Sequence, residues 1–146
     1  MAKKILIVLD SFNIGGAERQ AINLAAGLKN EGHNVELIAL SITGNGIQIL
    51  KNEDLAFSNL NLTLYTHHPT IIKRNKRILR RVLKAKKPDV VFPFTYWPNL
   101  YCNALKVKAR LPICIWNQRD LGFNLGVYKK EERILNETLR TENKEL

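Results

Sequence analysis

"KILIVLDSFNIGGAERQ", residues 4 to 20, carries the two signals that set the fold. Ile5 to Leu9 is an unbroken run of β-branched and leucine residues without polar alternation, the pattern of a strand covered on both faces in a parallel sheet. From Ala17 the spacing becomes helical. Ala21, Leu24, Ala25 and Leu28 share one face, and Gly32 stands where a glycine ends a helix by taking up a left-handed backbone. "NVELIAL", residues 34 to 40, then predicts a second strand and completes a β-α-β unit within about forty residues. Two adjacent glycines, Gly15 and Gly16, sit where the first strand hands over to the helix.

The same alternation continues outward. "SITGNG", residues 41 to 46, reads as a loop, residues 47 to 53 as a short helix, and "LNLTLY", residues 60 to 65, as a third strand. Helical spacing returns with Ile71, Ile72, Ile78, Leu79, Val82 and Leu83, and Pro88 closes that helix. "DVVFPF" at 89 to 94 predicts a fourth strand, "NLYCNALKVKAR" at 99 to 110 a helix, and "LPICIWN" at 111 to 117 a fifth strand. This order predicts an α/β domain over residues 1 to 122, built on a Rossmann-like, doubly wound parallel sheet. Residues 123 to 146 predict a polar helical tail, in which Ile134, Leu135, Leu139 and Leu146 are the larger apolar groups after Lys129.

Composition removes several function classes. With 146 residues and 45% hydrophobic content, the chain suits one ordinary core. Cys102 and Cys114 have no second pair and no nearby histidine in sequence, so the expectation is two reduced thiols in a cytosolic protein rather than a disulfide framework or a zinc site. His67 and His68 precede a proline without a third ligand at metal spacing and read as surface residues, as His33 reads as part of a turn; no metal site is expected. "KKILIVLD" stops being apolar after five residues, too early for a secretory signal, and no stretch approaches the roughly 18 apolar residues of a membrane span. The expectation is a soluble, cytoplasmic chain able to visit a membrane surface.

The net charge of +10 is concentrated. Residues 1 to 60 hold five Lys and Arg against six Asp and Glu, residues 61 to 120 hold thirteen against two, and the remainder five against five. Most of the excess lies in "KRNKRILRRVLKAKK", residues 73 to 87, with nine basic residues and no acidic one. A solvated helix usually mixes signs at i,i+4 spacing; this one does not. Lys73, Arg74, Lys76, Arg77, Arg80, Arg81 and Lys84 are therefore candidate contacts for an anionic membrane surface or polymer, beside the plainer reading of a basic solvent face. Nucleic acid is disfavoured, because no recognisable module or ordered aromatic platform accompanies the cations.

The glycine pair lacks the G-x-G-x-x-G pattern and the acidic residue of a dinucleotide site, and it lacks the G-K-S/T of a phosphate-binding loop. A cofactor-binding dehydrogenase and a P-loop hydrolase are thereby disfavoured. Two readings remain: a tight turn, or a bare backbone that lets a phosphate or sugar approach the positive end of a helix. Arg19 could neutralise such a phosphate, and Glu18 could orient the loop or simply complement the helix dipole. Tyr96, Trp97 and Tyr101 either stack on a sugar ring or fill the core. No G-x-S-x-G elbow and no cysteine with an evident base points to a covalent nucleophile.

"FNIGGAERQAINLAAGLKNEGHNVELIAL" resembles the amino-terminal signature of glycosyltransferase family 4, the retaining group 1 enzymes of GT-B fold, through Gly15, Gly16, Ala17, Glu18, Arg19, then Gly32, His33 and Val35. "KPDVVFPFTYWPNLYCNAL" is similar to the fourth strand and following helix of members that build bacterial surface polysaccharides, and "LPICIWNQRD" to their fifth strand, with Arg119 and Asp120 where an Arg-Asn or Arg-Asp pair is common. The resemblance covers residues 3 to about 122. It implies one half of a GT-B fold, the acceptor-side domain of an enzyme that moves a sugar from a nucleotide-sugar donor to a surface-glycan or lipid-linked acceptor. It further implies that Gly15, Gly16 and Arg19 meet the donor diphosphate or sugar, and that Asn99, Asn117 and Arg119 line the acceptor side. Where many relatives carry a sugar-contacting histidine, this chain has Asn117, Gln118 and Arg119.

The resemblance implies no cofactor; the nucleotide-sugar is a substrate. It also implies a second, carboxyl-terminal domain bearing Glu-x7-Glu as a missing partner, without which this chain is expected to be inactive. Glu137 and Glu145 have that spacing, but in a polar tail without glycine-rich or apolar surroundings. A stand-alone α/β module that uses its basic helix to hold an anionic polymer or membrane is the alternative.

Overall fold

The computed structural model describes residues 1–41, 44–64, 66, 68–106, 113–115 and 117. His67, Arg119, Asp120 and the segment 123–146, with Glu137 and Glu145, lie outside the described residues. The elements follow in the order β1 (Lys4–Leu9), α1 (Gly16–Asn30), β2 (Asn34–Ala39), α2 (Ile47–Asn52), β3 (Ala56–Asn59), α3 (Pro69–Lys86), β4 (Val90–Pro93), α4 (Tyr96–Leu105) and β5 (Ile113–Cys114). All strand pairs are parallel, in the spatial order β3-β2-β1-β4-β5.

The unalternating run in β1 has its explanation in this position. Leu6 and Val8 pack on one face with Ile72, Leu79 and Leu83 of α3 and Trp97 and Tyr101 of α4. Ile5, Ile7 and Leu9 pack on the other with Ala21, Ile22 and Ala25 of α1 and Leu50 of α2. The chain runs outward from β1 to β3, then crosses back through α3 to β4. Right-handed crossovers in opposite directions put α1 and α2 on one face and α3 and α4 on the other. The reversal lies between β1 and β4, the position at which doubly wound sheets open a crevice at the carboxyl ends of their strands.

Local signals account for the element ends. Gly32 has φ +86, and its amide bonds Lys29 O at 2.9 Å while the His33 amide bonds Leu28 O at 3.1 Å, the paired hydrogen bonds of a glycine-terminated helix. Asp89 and Lys4 exchange hydrogen bonds at the base of the sheet: Lys4 N donates to Asp89 Oδ2 at 2.7 Å, and Asp89 N to Lys4 O at 2.8 Å. The carboxyl end of α3 is tied to the sheet where Lys86 Nζ meets Glu36 Oε1 at 2.8 Å and Ser58 Oγ donates to the same oxygen at 3.0 Å. Helix α3 ends at Lys86, and Lys87, left-handed at φ 47, separates it from Pro88.

Two expectations are corrected. The third strand is Ala56–Asn59, paired from Glu36↔Ala56 to Ala39↔Asn59, rather than the stretch expected from residue 60, of which residues 60 to 64 lie beyond it. Leu62 and Leu64 are buried, so their alternation reflects extended chain pressed on the core. Leu60 N still donates to Ala39 O at 3.0 Å and Leu62 N to Leu40 O at 2.7 Å, but Asn61 between them goes left-handed at φ 49 and breaks the extended backbone. Helix α4 begins at Tyr96 rather than Asn99; Pro98 falls in its first turn, where a missing N–H removes no intrahelical bond.

Candidate functional site

Two connections leave the carboxyl ends of the neighbouring strands β1 and β4, where a doubly wound sheet opens its crevice: residues 10–15 after β1, and Phe94 with Thr95 after β4. Gly15 is the residue before α1, with φ −124 and ψ −165, extended backbone open to any side chain. Among the described glycines only Gly32 has positive φ, so the tight-turn explanation does not account for Gly15 and Gly16. What differs is space. A Cβ on Gly15 would sit 2.8 Å from the end of the Glu18 side chain, and one on Gly16 would have nothing within 4 Å. Both glycines are exposed.

Their amides are not equivalent. Gly15 N donates to Glu18 Oε2 at 3.0 Å, a carboxylate three residues on folding back over the helix start. The Gly16 amide has no hydrogen-bond partner among the described residues. It lies in the first turn, where helix N–H groups have no intrahelical acceptor and the dipole favours negative charge. Arg19 stands exposed on the same turn, its amide bonding Gly15 O at 3.1 Å.

On the β4 side, Thr95 is 6% exposed and holds φ 67 with ψ −179, a conformation that a β-branched residue rarely adopts. Its amide donates to Asn117 O at 3.2 Å. Asn99 is 2% exposed, and its side chain faces the same backbone: Nδ2 donates to Asn117 O, and Asn117 N donates to Oδ1, each at 3.4 Å. The structure thus brings Asn99 and Asn117 together, but with Asn99 as a buried brace between α4 and Asn117, which lies beyond β5 and bridges to Phe94. Sequence reading missed Thr95, for which a threonine in glycine-like backbone leaves no signal in the letters.

The aromatic residues resolve toward the core. Trp97 and Tyr101 are buried, with ring centroids 6.0 Å apart, and Tyr96 packs edge-on to Trp97 at 5.3 Å. Asn75 Nδ2 donates to Thr63 O at 2.7 Å and to Tyr101 Oη at 3.4 Å, and burial pushes the Tyr101 hydroxyl above its ordinary range. Burial pushes the Cys102 thiol well up, with Cys114 adding to the effect; Cys114 is also raised by burial, partly offset by Lys106. Both cysteines are free thiols. No group of three or more His, Cys, Asp or Glu able to hold a metal occurs among the described residues.

Of the seven candidate contact residues on α3, Lys73, Arg74, Arg77, Arg80, Arg81 and Lys84 are exposed. Lys76 is 3% exposed and sits with Asn75 on the buried side, so it does not belong to the cationic face. No described helix is long and apolar enough to cross a membrane.

Comparison with known proteins gives a consistent result. The family model described as Glycosyltransferase Family 4 matches residues 14–135. Over 114 residues the chain is 33% identical to the GalNAc-alpha-(1->4)-GalNAc-alpha-(1->3)-diNAcBac-PP-undecaprenol alpha-1,4-N-acetyl-D-galactosaminyltransferase of Campylobacter jejuni, covering 77% of this chain and 31% of that protein. Among solved structures, a glycosyltransferase from Rickettsia africae is similar with TM-score 0.61 and 20% identity, covering 89% of this chain and 33% of its own. MurG from Acinetobacter baumannii is similar with TM-score 0.64 and 18% identity, covering 87% and 39%. These likenesses show a Rossmann-like fold shared with GT-B glycosyltransferases, and the chain spans about a third of the length of the proteins it matches.

Proposed function

The chain belongs to Glycosyltransferase Family 4, and from that premise we propose that it is the acceptor-side, amino-terminal domain of a retaining glycosyltransferase. In the proposed reaction the bond between the sugar's anomeric carbon and the donor diphosphate breaks. A bond from that carbon to an acceptor hydroxyl oxygen forms on the same face, and the hydroxyl proton is released. The nucleotide leaves as a diphosphate carrying the electron pair of the broken bond. The carrying observation is the bare Gly16 amide in the first turn of α1, beside the crevice between β1 and β4. A fixed donor aimed at developing negative charge stabilises a departing diphosphate without having to reorganise. Arg19, on the same turn, adds a mobile positive charge.

A lipid-linked acceptor is the favoured class. The Campylobacter relative is named for a pyrophosphate-linked undecaprenol substrate, and the six exposed cations of α3 suit an anionic surface. At about 1 kcal/mol per Lys or Arg near such a surface, several together make a reversible peripheral anchor at the cytoplasmic face.

The test has three arms. Amide resonances of the chain are followed during titration with uridine diphosphate and with inorganic pyrophosphate; shifts centred on Gly16 and Ala17 are expected, and an unresponsive turn overturns the diphosphate assignment. Transfer is assayed with the chain alone and with a donor-binding carboxyl-terminal domain added. No turnover alone is expected, and normal turnover by residues 1–146 refutes the two-domain reading. Vesicles with and without anionic lipid test α3: charge- and salt-dependent binding lost in Arg77→Glu/Arg81→Glu is expected, and indifference to lipid charge removes the membrane role. Lipid binding together with an unresponsive turn would favour the stand-alone binding module.

A further inference from the structure

The chain between β1 and α1 must leave the sheet, cross the crevice and start a helix within residues 10–15. Such a short exposed stretch satisfies few of its own backbone groups; Asn13 N to Ser11 Oγ at 3.2 Å is one internal bond. The rest of its support comes from the loop after β2. Gly46 N donates to Phe12 O at 2.8 Å, and Ile14 N donates to Asn45 Oδ1 at 2.9 Å, across 31 residues of sequence. The two loops touch at backbone level. A Cβ on Gly44 would lie 2.3 Å from Asn13 N and 2.4 Å from the Phe12 carbonyl carbon. One on Gly46 would lie 2.7 Å from Phe12 O and 2.6 Å from Ile14 Cδ1. Phe12 is buried and packs edge-on against Phe57 at 5.8 Å, which anchors the start of the turn from beneath.

We propose that Asn45 is a positioning residue for the glycine turn: carried on a loop that glycines at 44 and 46 allow to approach, it holds the Ile14 amide and so fixes the direction of the Gly16 N–H. The inference rests on the reading that this turn receives a diphosphate. Its physical basis is preorganisation. Each backbone residue left free and then fixed on binding carries an entropic cost, and a turn held in advance avoids it. Asn45 itself is exposed and belongs to neither core cluster, so its removal leaves the packing intact.

The test measures pyrophosphate affinity and Ile14 amide exchange in the 146-residue chain. Asn45→Ala should weaken pyrophosphate by about threefold to tenfold, the value of one hydrogen bond, and should speed exchange at Ile14 while leaving β1 amides protected. Asn45→Asp keeps the acceptor oxygen and should restore Ile14 protection, though its negative charge lowers affinity. Gly44→Ala reaches the same turn sterically and should weaken binding likewise, whereas Gln48→Ala, on the exposed side of the first turn of α2, should change nothing. Wild-type binding that Asn45→Ala leaves unaltered overturns the role of Asn45 alone. A wild-type chain indifferent to pyrophosphate overturns the diphosphate reading of the turn and the positioning role with it.

Discussion

Replacing Glu18 by glutamine should tighten anion binding at the glycine turn while slightly destabilising the fold. The carboxylate lies 3.0 Å from Gly15 N, so a phosphate accepting from the neighbouring Gly16 amide would sit about 5 Å from it. In water, two unit charges at that distance repel by about 0.8 kcal/mol, and at physiological salt screening roughly halves this. For pyrophosphate carrying several charges the sum is about 1 kcal/mol, or roughly fivefold in affinity. Glutamine keeps an oxygen for the Gly15 amide, so the turn persists. What is lost is the charge–dipole term, about 0.3–1 kcal/mol of helix stability. Calorimetric titration with pyrophosphate at two salt concentrations, together with urea unfolding, reads both quantities. Tighter binding with lower stability, and a smaller gain at high salt, is the expected signature. Equal or weaker binding in Glu18→Gln would mean that no anion sits beside that carboxylate, and the argument for Gly16 would fall.

Asn75→Ala removes the part-buried 2.7 Å bond to the Thr63 carbonyl, which water can then reach, and should cost about 0.5–1.5 kcal/mol in urea unfolding; a loss near zero would show that the bond contributes nothing. Cys102, fully buried with its thiol pushed up, should resist iodoacetamide at neutral pH until the chain unfolds, and Cys114 should react slowly; rapid labelling of Cys102, read by mass spectrometry, would contradict its packing. Lys29 Nζ, 2.8 Å from Asp54 Oδ2, holds that carboxyl below its ordinary range. A lowered carboxyl stabilises the fold above its unfolded value and loses that contribution as pH falls through the folded one. Asp54→Asn should therefore be less stable than wild type at neutral pH in low salt, with the gap closing below the carboxylate range; a gap that persists in acid would refute an ionic origin.

The first β-α-β unit was legible because its signals are local and agree: an unalternating strand, a helical stripe, and a glycine where the backbone goes left-handed. The third strand was not. Leu60, Leu62 and Leu64 alternate as a strand would, and the Leu62 amide still bonds Leu40 O, yet left-handed Asn61 interrupts the extended backbone that a ladder needs. In α3 the apolar stripe was readable, but the burial of Asn75 and Lys76 depends on what faces them across the fold. At the site, the glycine pair was visible in the letters. That the Glu18 carboxylate occupies one of its two amides, that Asn99 is turned inward, and that residues 44–46 brace the turn from 31 positions away are all consequences of tertiary placement.

The position of β1 bears on how the protein is made. This strand pairs with β2 on one side and with β4 on the other, and the latter contact joins positions 85 residues apart, as between Lys4 and Asp89. On a ribosome its greasy centre waits, half-covered, until most of the described fold has been synthesised. A stall or nick between α2 and β4 would strand an adhesive nascent chain rather than a smaller folded unit, so shielding by a chaperone matters most during that interval.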